Sequence, residues 1–305
     1  MKKIQILLST YNGEAHLRSQ LDSFLALEGA ESISVLIRDD GSTDATREIL
    51  AEYRQKHGFE VILGENVGLN ASLQILFEHA DPSCFFYAYA DQDDVWLPEK
   101  LAKAVSLLER EDESTPVLYA ARSHITDADG KVIGETLLPK RPPSFRNAMV
   151  QNVCIGHTQV YNRAMLALLR THYKKSMFVM DHWAYLLATA FGKVIFDPSL
   201  VTLYRQHGNN SIGYGNNLTS KIRSRSRRAR AGVPGAHVRQ LLALLDFESE
   251  MPPTEAKMLR RFLAARRGFF RRLGYLFHAD AYRDGFVENT GFRILFLLGF
   301  YNENK

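Results

Sequence analysis

AYADQDDVW, residues Ala88 to Trp96, closes an apolar run abruptly with three carboxylates spread over four positions. The side chains from Phe85 to Ala90 are apolar or aromatic, as a buried strand requires, so Asp91, Asp93 and Asp94 fall where that strand leaves its sheet. In an open α/β sheet the carboxyl ends of the strands are where ligands bind. Carboxylates this close repel one another unless a cation or hydrogen-bond donors compensate, and hard oxygen ligands suit magnesium or manganese. One Asp ahead of Pro98 would be an ordinary helix cap; three of them weaken that reading. A calcium loop starting at Asp91 fails, because its sixth position is Trp96 instead of Gly and its twelfth is Ala102 instead of Glu.

The chain upstream repeats one unit. Ile4 to Leu8 reads as a strand ending in STYNG, after which Leu17, Leu21, Phe24 and Leu25 recur at helical spacing. Ile33 to Ile37 predicts a second strand ending in RDDGSTD, with Ala45, Ile49 and Tyr53 marking the next helix. A third strand around Val61 to Leu63 leads through ENVGLN into a short helix near Ala71 to His79. Such alternation predicts an α/β fold with a mostly parallel sheet flanked by helices. Beyond the acidic stretch, Pro98 to Glu109 reads as helix, Val117 to Ser123 as strand and Asp129-Gly130 as a turn. Asp181 opens a helix through MDHWAYLLATAFG, and Lys193 to Phe196 and Leu200 to Tyr204 read as two strands.

With 305 residues, 46% hydrophobic and 24% charged, the chain has material for one large domain and an appendage. Cys84 and Cys154 lie in apolar surroundings and form no ligand pattern, which favours buried thiols and a cytoplasmic setting over a structural zinc. Ser9, Thr10 and Asn12 interrupt the first apolar run too early for a signal peptide or a membrane span. Charge is divided unevenly. From Lys221 onward 17 Lys and Arg face 8 Asp and Glu, a local excess of +9, so the preceding residues carry −5 within the total of +4.

That basic region carries an apolar stripe through Leu259, Phe262, Leu263, Phe269, Phe270, Leu273, Leu276 and Phe277, opposed by arginines, and predicts one basic amphipathic helix. Its mixture of aromatic and basic side chains suits an anionic membrane surface; a helix packed on the rest of the protein with its arginines in water is the alternative. The apolar run Ile294 to Tyr301 is far shorter than the roughly 20 residues of a span.

Together, STYN at Ser9 to Asn12, DDGSTD at Asp39 to Asp44, ENVGLN at Glu65 to Asn70 and ADQDDVW at Ala90 to Trp96 resemble glycosyltransferase family 2, with its GT-A fold. DQDDVW, DHW at Asp181 to Trp183 and LYRQHGNN at Leu203 to Asn210 are most similar to bacterial rhamnosyltransferases. The resemblance runs from Met1 to about Asn210. It implies a nucleotide-sugar-binding and catalytic domain over 1–220; beyond it the charge and apolar periodicity make 221–305 a basic helical region, a candidate for membrane association or oligomerisation.

The family implies roles residue by residue. Thr10, Tyr11, Asp39 or Asp40, and Asn66 would line the nucleotide base, whose imide needs an acceptor. Asp91 would lie near the ribose, while Asp93 and His207 would hold a Mg2+ or Mn2+ ion against the diphosphate. Asp181 matches the general base that deprotonates the acceptor hydroxyl, with helix capping as its bland alternative. Asp94, Trp96, Trp183 and His157 are candidates for acceptor or donor-sugar contacts; a packing role competes in each case, and Arg38 is left between diphosphate and an acidic neighbour.

The expectation is an inverting transfer of L-rhamnose from dTDP-rhamnose to a cell-surface polysaccharide or lipid-linked precursor, on the cytoplasmic face of the plasma membrane. The alternatives are a UDP-hexose or UDP-N-acetylhexosamine transferase, or a non-catalytic module that binds membrane or polyanion. No nucleic-acid partner is expected, because no nucleic-acid fold signature accompanies the positive charge.

Overall fold

The first strand, β1 (Ile4–Thr10), is buried along its whole length because it has neighbours on both sides and helices on both faces. It pairs in parallel with β2 (Ile33–Asp40) and β4 (Phe86–Ala90), and β2 pairs in parallel with the edge strand β3 (Glu60–Gly64). The computed structural model describes residues 3–206 and 232–302. Among these, one nine-stranded sheet runs in the order β3-β2-β1-β4-β8-β6-β9-β5, with β7 paired to β6. The added strands are β5 (Val95–Trp96), β6 (Val117–Thr126), β7 (Val132–Glu135), β8 (Val160–Asn162) and β9 (Lys193–Arg205). Strand β8 runs against both β4 and β6, while β6 and β9 are parallel. The direction of β1 is thereby restored on the far side of β8, and the expected mostly parallel α/β sheet is found. The two strands expected over 193–204 are one, bent by register shifts against β6.

Alternation along β1 sorts its side chains between two faces. Ile4, Ile6 and Leu8 join a core with Leu17, Leu21 and Phe24 of α1 (Leu17–Leu25), Ile49 and Tyr53 of α2 (Thr46–His57), and Leu101 and Val105 of α4 (Lys100–Leu108). The other face is covered by α3 (Leu69–His79), which also packs on α6 (Arg163–Thr171). Because β1, β2 and β4 are parallel and in register, Thr10, Asp39 and Ala90 finish at one edge of the sheet.

The described residues form two compact units, the first made of 3–138, 154–175 and 192–206, the second of 139–153, 176–191 and 232–302. A boundary near residue 220 lies outside the described residues. The second unit is helical: α5 (Phe145–Ala148), α7 (Met180–Phe191), α8 (Val233–Leu244), α9 (Pro253–Ala265), α10 (Phe269–Phe277) and α11 (Phe286–Leu297). Its C-terminal chain is fastened to the inner segments. Arg146 donates to the Asp280 and Ala279 carbonyls, Arg283 donates to the Val150 carbonyl, and the Asp284 N–H donates to Gln151.

The single amphipathic helix expected over 259–277 is instead two helices, α9 and α10, separated by Arg266 to Gly268. Glycine weakens helix continuity there. Leu259, Phe262 and Leu263 are buried, whereas Phe269, Phe270 and Phe277 are exposed, so the stripe divides between core and surface. Among the described residues no helix is long and apolar enough to cross a membrane. Both cysteines are free and buried, as expected.

Gly192 sits where β9 begins, and a Cβ there would lie 2.0 Å from the Pro116 carbonyl oxygen, which accepts the Lys193 N–H at 2.9 Å. Gly192→Ala therefore has to open that first rung. A loss of about 1–3 kcal/mol is expected, read as a lowered denaturation midpoint at unchanged m-value.

Candidate active site

Two loops meet at the carboxyl edge of β1, β2 and β4. In the first, the Asp39 carboxylate is fully buried and accepts from the Ser42 N–H (3.1 Å), the Ser42 hydroxyl, Thr10 Oγ1 (3.3 Å) and Arg47 Nε (2.8 Å). Asp40 turns the other way, accepting from the Val67 and Gly68 N–H groups at 2.9 Å each and pairing with Arg38. Arg38 also donates to Ser72 Oγ and the Glu65 carbonyl. The open role of Arg38 resolves to this buried pair, which closes ENVGLN over DDGSTD. Gly41 lies between them with φ +83°, and a Cβ there would be 2.7 Å from the Asn66 backbone nitrogen. Asn66 is exposed, as is Tyr11.

The second loop is the acidic stretch. Gln92 fastens it to β1: its Oε1 accepts from the Tyr11 N–H at 2.9 Å and its Nε2 donates to the Tyr11 carbonyl at 3.1 Å. The Cβ that Gly13 lacks would fall 2.5 Å from Gln92 Oε1, so glycine leaves room for this contact. Asp91 is partly exposed and accepts from the Tyr89 hydroxyl. Asp93 is also partly exposed, and its carbonyl accepts from Arg205 Nε at 3.4 Å. Asp94 is 1% exposed. Its Oδ1 accepts the Arg205 N–H at 3.3 Å, while its Oδ2 receives no hydrogen bond and lies 3.3 Å from His157 Nδ1.

His157, on a 3-10 turn (Gly156–Thr158), is buried and sandwiched by contacts that fix its ring. Its Nε2 is 2.7 Å from Ser123 Oγ, and the ring stacks on Tyr204 at 4.7 Å between centroids. Burial, reinforced by nearby Lys100, pushes the imidazole well below its ordinary range and keeps it neutral. Burial also raises the Asp94 carboxyl well above the carboxylate range, with Asp91 and Asp93 adding to the effect. An Nε2–H donated to Ser123 leaves the Nδ1 lone pair facing Asp91 and Asp94.

Something positive belongs in that place: either a proton on Asp94 or a cation. The candidate ligand atoms of Asp91, Asp94 and His157 all lie within 4.8 Å of one another, a separation that a divalent ion with bonds of about 2.1–2.4 Å spans with little movement. Two carboxylates, a neutral imidazole and an orphaned buried oxygen fit a divalent cation. Asp93, expected as a direct ligand, is not in this group, and His207 lies outside the described residues.

Beneath the cluster lies a side chain the sequence reading passed over. Lys100 is fully buried, with Nζ donating to the His157 carbonyl and to Thr202 Oγ1 (3.3 Å) and standing 3.9 Å from the centre of the Trp96 ring. It occupies a core position of α4 beside Leu101 and Ala104, and a lysine in register with an apolar stripe was the available signal. Trp96 is core as well, edge-on to Phe24, and Trp183 is completely buried. Neither indole offers a sugar a face to stack on, which corrects that expectation.

Asp181 belongs to the second unit, where it lies half-buried in the first turn of α7. Its Oδ2 accepts from Asn152 Nδ2 at 2.9 Å and its Oδ1 from the His182 N–H at 2.6 Å, so a helix-end role and an oriented carboxylate coexist. His182 donates from Nε2 to the Ala148 carbonyl, and burial lowers it to about 4.

Known proteins resemble the chain in sequence over part of its length and in fold. An uncharacterised protein of Mycobacterium tuberculosis is 26% identical over 211 residues, covering 67% of this chain and 59% of its own length, so the chain spans about six-tenths of that relative. A dTDP-rhamnosyl transferase, RfbG, of Shigella flexneri is 30% identical over 106 residues, 33% of this chain and 36% of that one. Among solved structures, S. aureus TarS (residues 1–349) in complex with UDP superposes with a TM-score of 0.55 at 15% identity, covering 98% of this chain and 91% of that one. That likeness is one of fold, the GT-A type. The profile described as glycosyl transferase family 2 matches residues 5–169, more than half of the sequence, across both loops and the His157 turn, and the chain therefore belongs to glycosyl transferase family 2.

Proposed function

We propose that the chain is an inverting glycosyltransferase that moves a sugar, L-rhamnose from dTDP-rhamnose, onto a hydroxyl of a cell-surface polysaccharide or lipid-linked glycan precursor. The observation that carries this reading is the convergence of Asp91, Asp94 and His157 on one electron-rich point, tied through Gln92 to the strand end that also holds Asp39. A nucleoside diphosphate needs a base acceptor and a positive charge close together, and this edge can provide both. The preference for dTDP-rhamnose draws on the DQDDVW and DHW motifs and on the name of the Shigella relative.

In this reading Thr10, Tyr11, Asp39 and Asn66 form the base side, Asp40 bracing the ENVGLN loop through Val67, Gly68 and Arg38 instead, and Asp91 and Asp93 face the ribose and diphosphate. A bound Mg2+ or Mn2+ would neutralise the departing diphosphate, a contribution of several kcal/mol. Asp91, Asp94 and His157 would hold the ion, with Asp93 and His207 completing its surroundings. Asp181 accepts the proton of the acceptor hydroxyl, with Asn152 orienting its carboxylate. The oxygen then attacks the anomeric carbon opposite the leaving diphosphate, and the configuration inverts. A lipid-linked acceptor goes with a protein held peripherally at the cytoplasmic face of the membrane.

The test is nucleotide release from dTDP-rhamnose, UDP-glucose and UDP-N-acetylglucosamine, with Mg2+ or Mn2+ and with chelator. Release of dTDP, abolished by chelator, is the expected result. Release of UDP in its place moves the donor to the UDP-sugar alternative, and no release from any donor, with acceptor extract present, overturns the enzymatic reading.

A further inference from the structure

The second unit carries an apolar surface that its own core leaves uncovered. Helix α10 buries Tyr275 and Leu276, and α11 buries Phe292 and Phe296, in an aromatic cluster that includes Phe262 and Tyr301. Each helix then repeats the pattern on its opposite side. Phe270, Leu273 and Phe277, spaced three and four residues apart, share the outer face of α10; Val287, Ile294 and Leu298 share that of α11. Phe270 is 84% exposed, Phe277 75%, and Phe286 at the start of α11 84%. Scattered exposed apolar residues are ordinary; two aligned stripes with projecting phenylalanines are not.

The charge around these stripes selects the occupant. Residues 253–302 hold nine Lys and Arg against four Asp and Glu. Arg260 and Arg261 are paired with Glu248 and Asp280, but Lys257, Arg267 and Arg271 are exposed and make no ion pair among the described residues. Arg271 flanks the Phe270–Phe277 stripe, one residue round the helix from its outermost phenylalanine. Aromatic side chains projecting between unpaired cations match the boundary between acyl chains and anionic headgroups, where the rings enter and long basic side chains reach back to phosphate. A second copy of the chain fits less well, because an isologous contact would bring like-charged arginine rims together.

We propose that the outer faces of α10 and α11 dock the protein on an anionic phospholipid bilayer, with Phe270 and Phe277 as the inserting side chains and Arg267 and Arg271 as the headgroup contacts. This surface is independent of the sugar and nucleotide assigned above; it identifies where the enzyme would meet a lipid-linked acceptor.

The experiment is co-flotation of the full-length protein with vesicles of phosphatidylcholine alone or of phosphatidylcholine with phosphatidylglycerol. Binding to the anionic vesicles only, weakened by high salt, is expected. Phe270→Ser/Phe277→Ser should lower the bound fraction at least ~10-fold, and Arg267→Glu/Arg271→Glu should lower it similarly, because both hydrophobic and electrostatic contributions are needed. Since all four side chains are exposed, unchanged melting temperatures are expected to show that folding is intact. Flotation unaffected by both double variants, or no binding of the wild type to anionic vesicles, overturns the proposal. So does a wild-type dimer that the phenylalanine variant converts to monomer without any change in vesicle binding. Nucleotide release in detergent-free buffer, followed in parallel, is expected to persist in both variants, which keeps a failure of docking distinct from a failure of the enzymatic reading.

Discussion

Asp181→Asn is expected to lower turnover by about 10²–10⁴-fold, the usual contribution of a positioned general base, while nucleotide release still depends on the metal and the donor KM changes little. The carboxylate is held from two sides, by the Asn152 amide and by the N–H of the following residue, His182, in the first turn of its own helix. Asparagine keeps the size and one acceptor oxygen, so the helix start survives at a cost of about 1 kcal/mol for the opposed amide that results. The carboxamide cannot take a proton from a hydroxyl. Steady-state kinetics with donor affinity measured separately by calorimetry check this. Turnover within a few-fold of wild type would remove Asp181 from the chemistry and leave it as a helix-end residue.

Lys100→Met is expected to cost about 2–4 kcal/mol of stability and to weaken metal-dependent donor binding. Methionine matches the length of lysine and fills the same space beside Trp96, yet the His157 carbonyl and Thr202 hydroxyl lose their buried donor. Burial pushes the lysine down to about 7, against the opposing pull of Asp94 and Asp91. Buried charges are not in themselves favourable, and replacing a whole pair by apolar groups is often harmless; removing one member is what leaves the other stranded. Lys100→Met/Asp94→Asn should therefore recover part of the loss, and a double-mutant cycle from denaturant unfolding of the four proteins measures the coupling. Additive losses would show that Lys100 acts only through the His157 turn.

The sequence made the parallel half of the sheet legible because β1, β2 and β4 each carry a predominantly apolar run that gives way to polar residues at the edge where Asp39 and Asp91 emerge. It could not rank the carboxylates. Asp93 and Asp94 differ by one position, and only the pairing of β8 with β4 and β6, which delivers His157 and Ser123, separates a partly exposed side chain from a buried one facing an imidazole. The tryptophans misled because an indole beside acidic residues reads equally as a sugar platform or as core, and burial alone decides. Periodicity carried the stripe of 259–277 straight through Gly268, since a hydrophobic pattern does not record that the chain turns between two helices. Nor does it record that Arg146 and Arg283 join segments more than 130 residues apart, which makes the C-terminal helices structural neighbours of Asn152.

Gln92 grips both backbone groups of Tyr11, as a strand partner would, although it belongs to the acidic loop. The two loops are thus one mechanical part. Anyone exchanging either loop for that of a relative would have to carry the other with it, because a mismatched pair would break this grip and uncouple the Thr10–Asp39 contact at the end of β1 from the cluster of Asp91, Asp94 and His157.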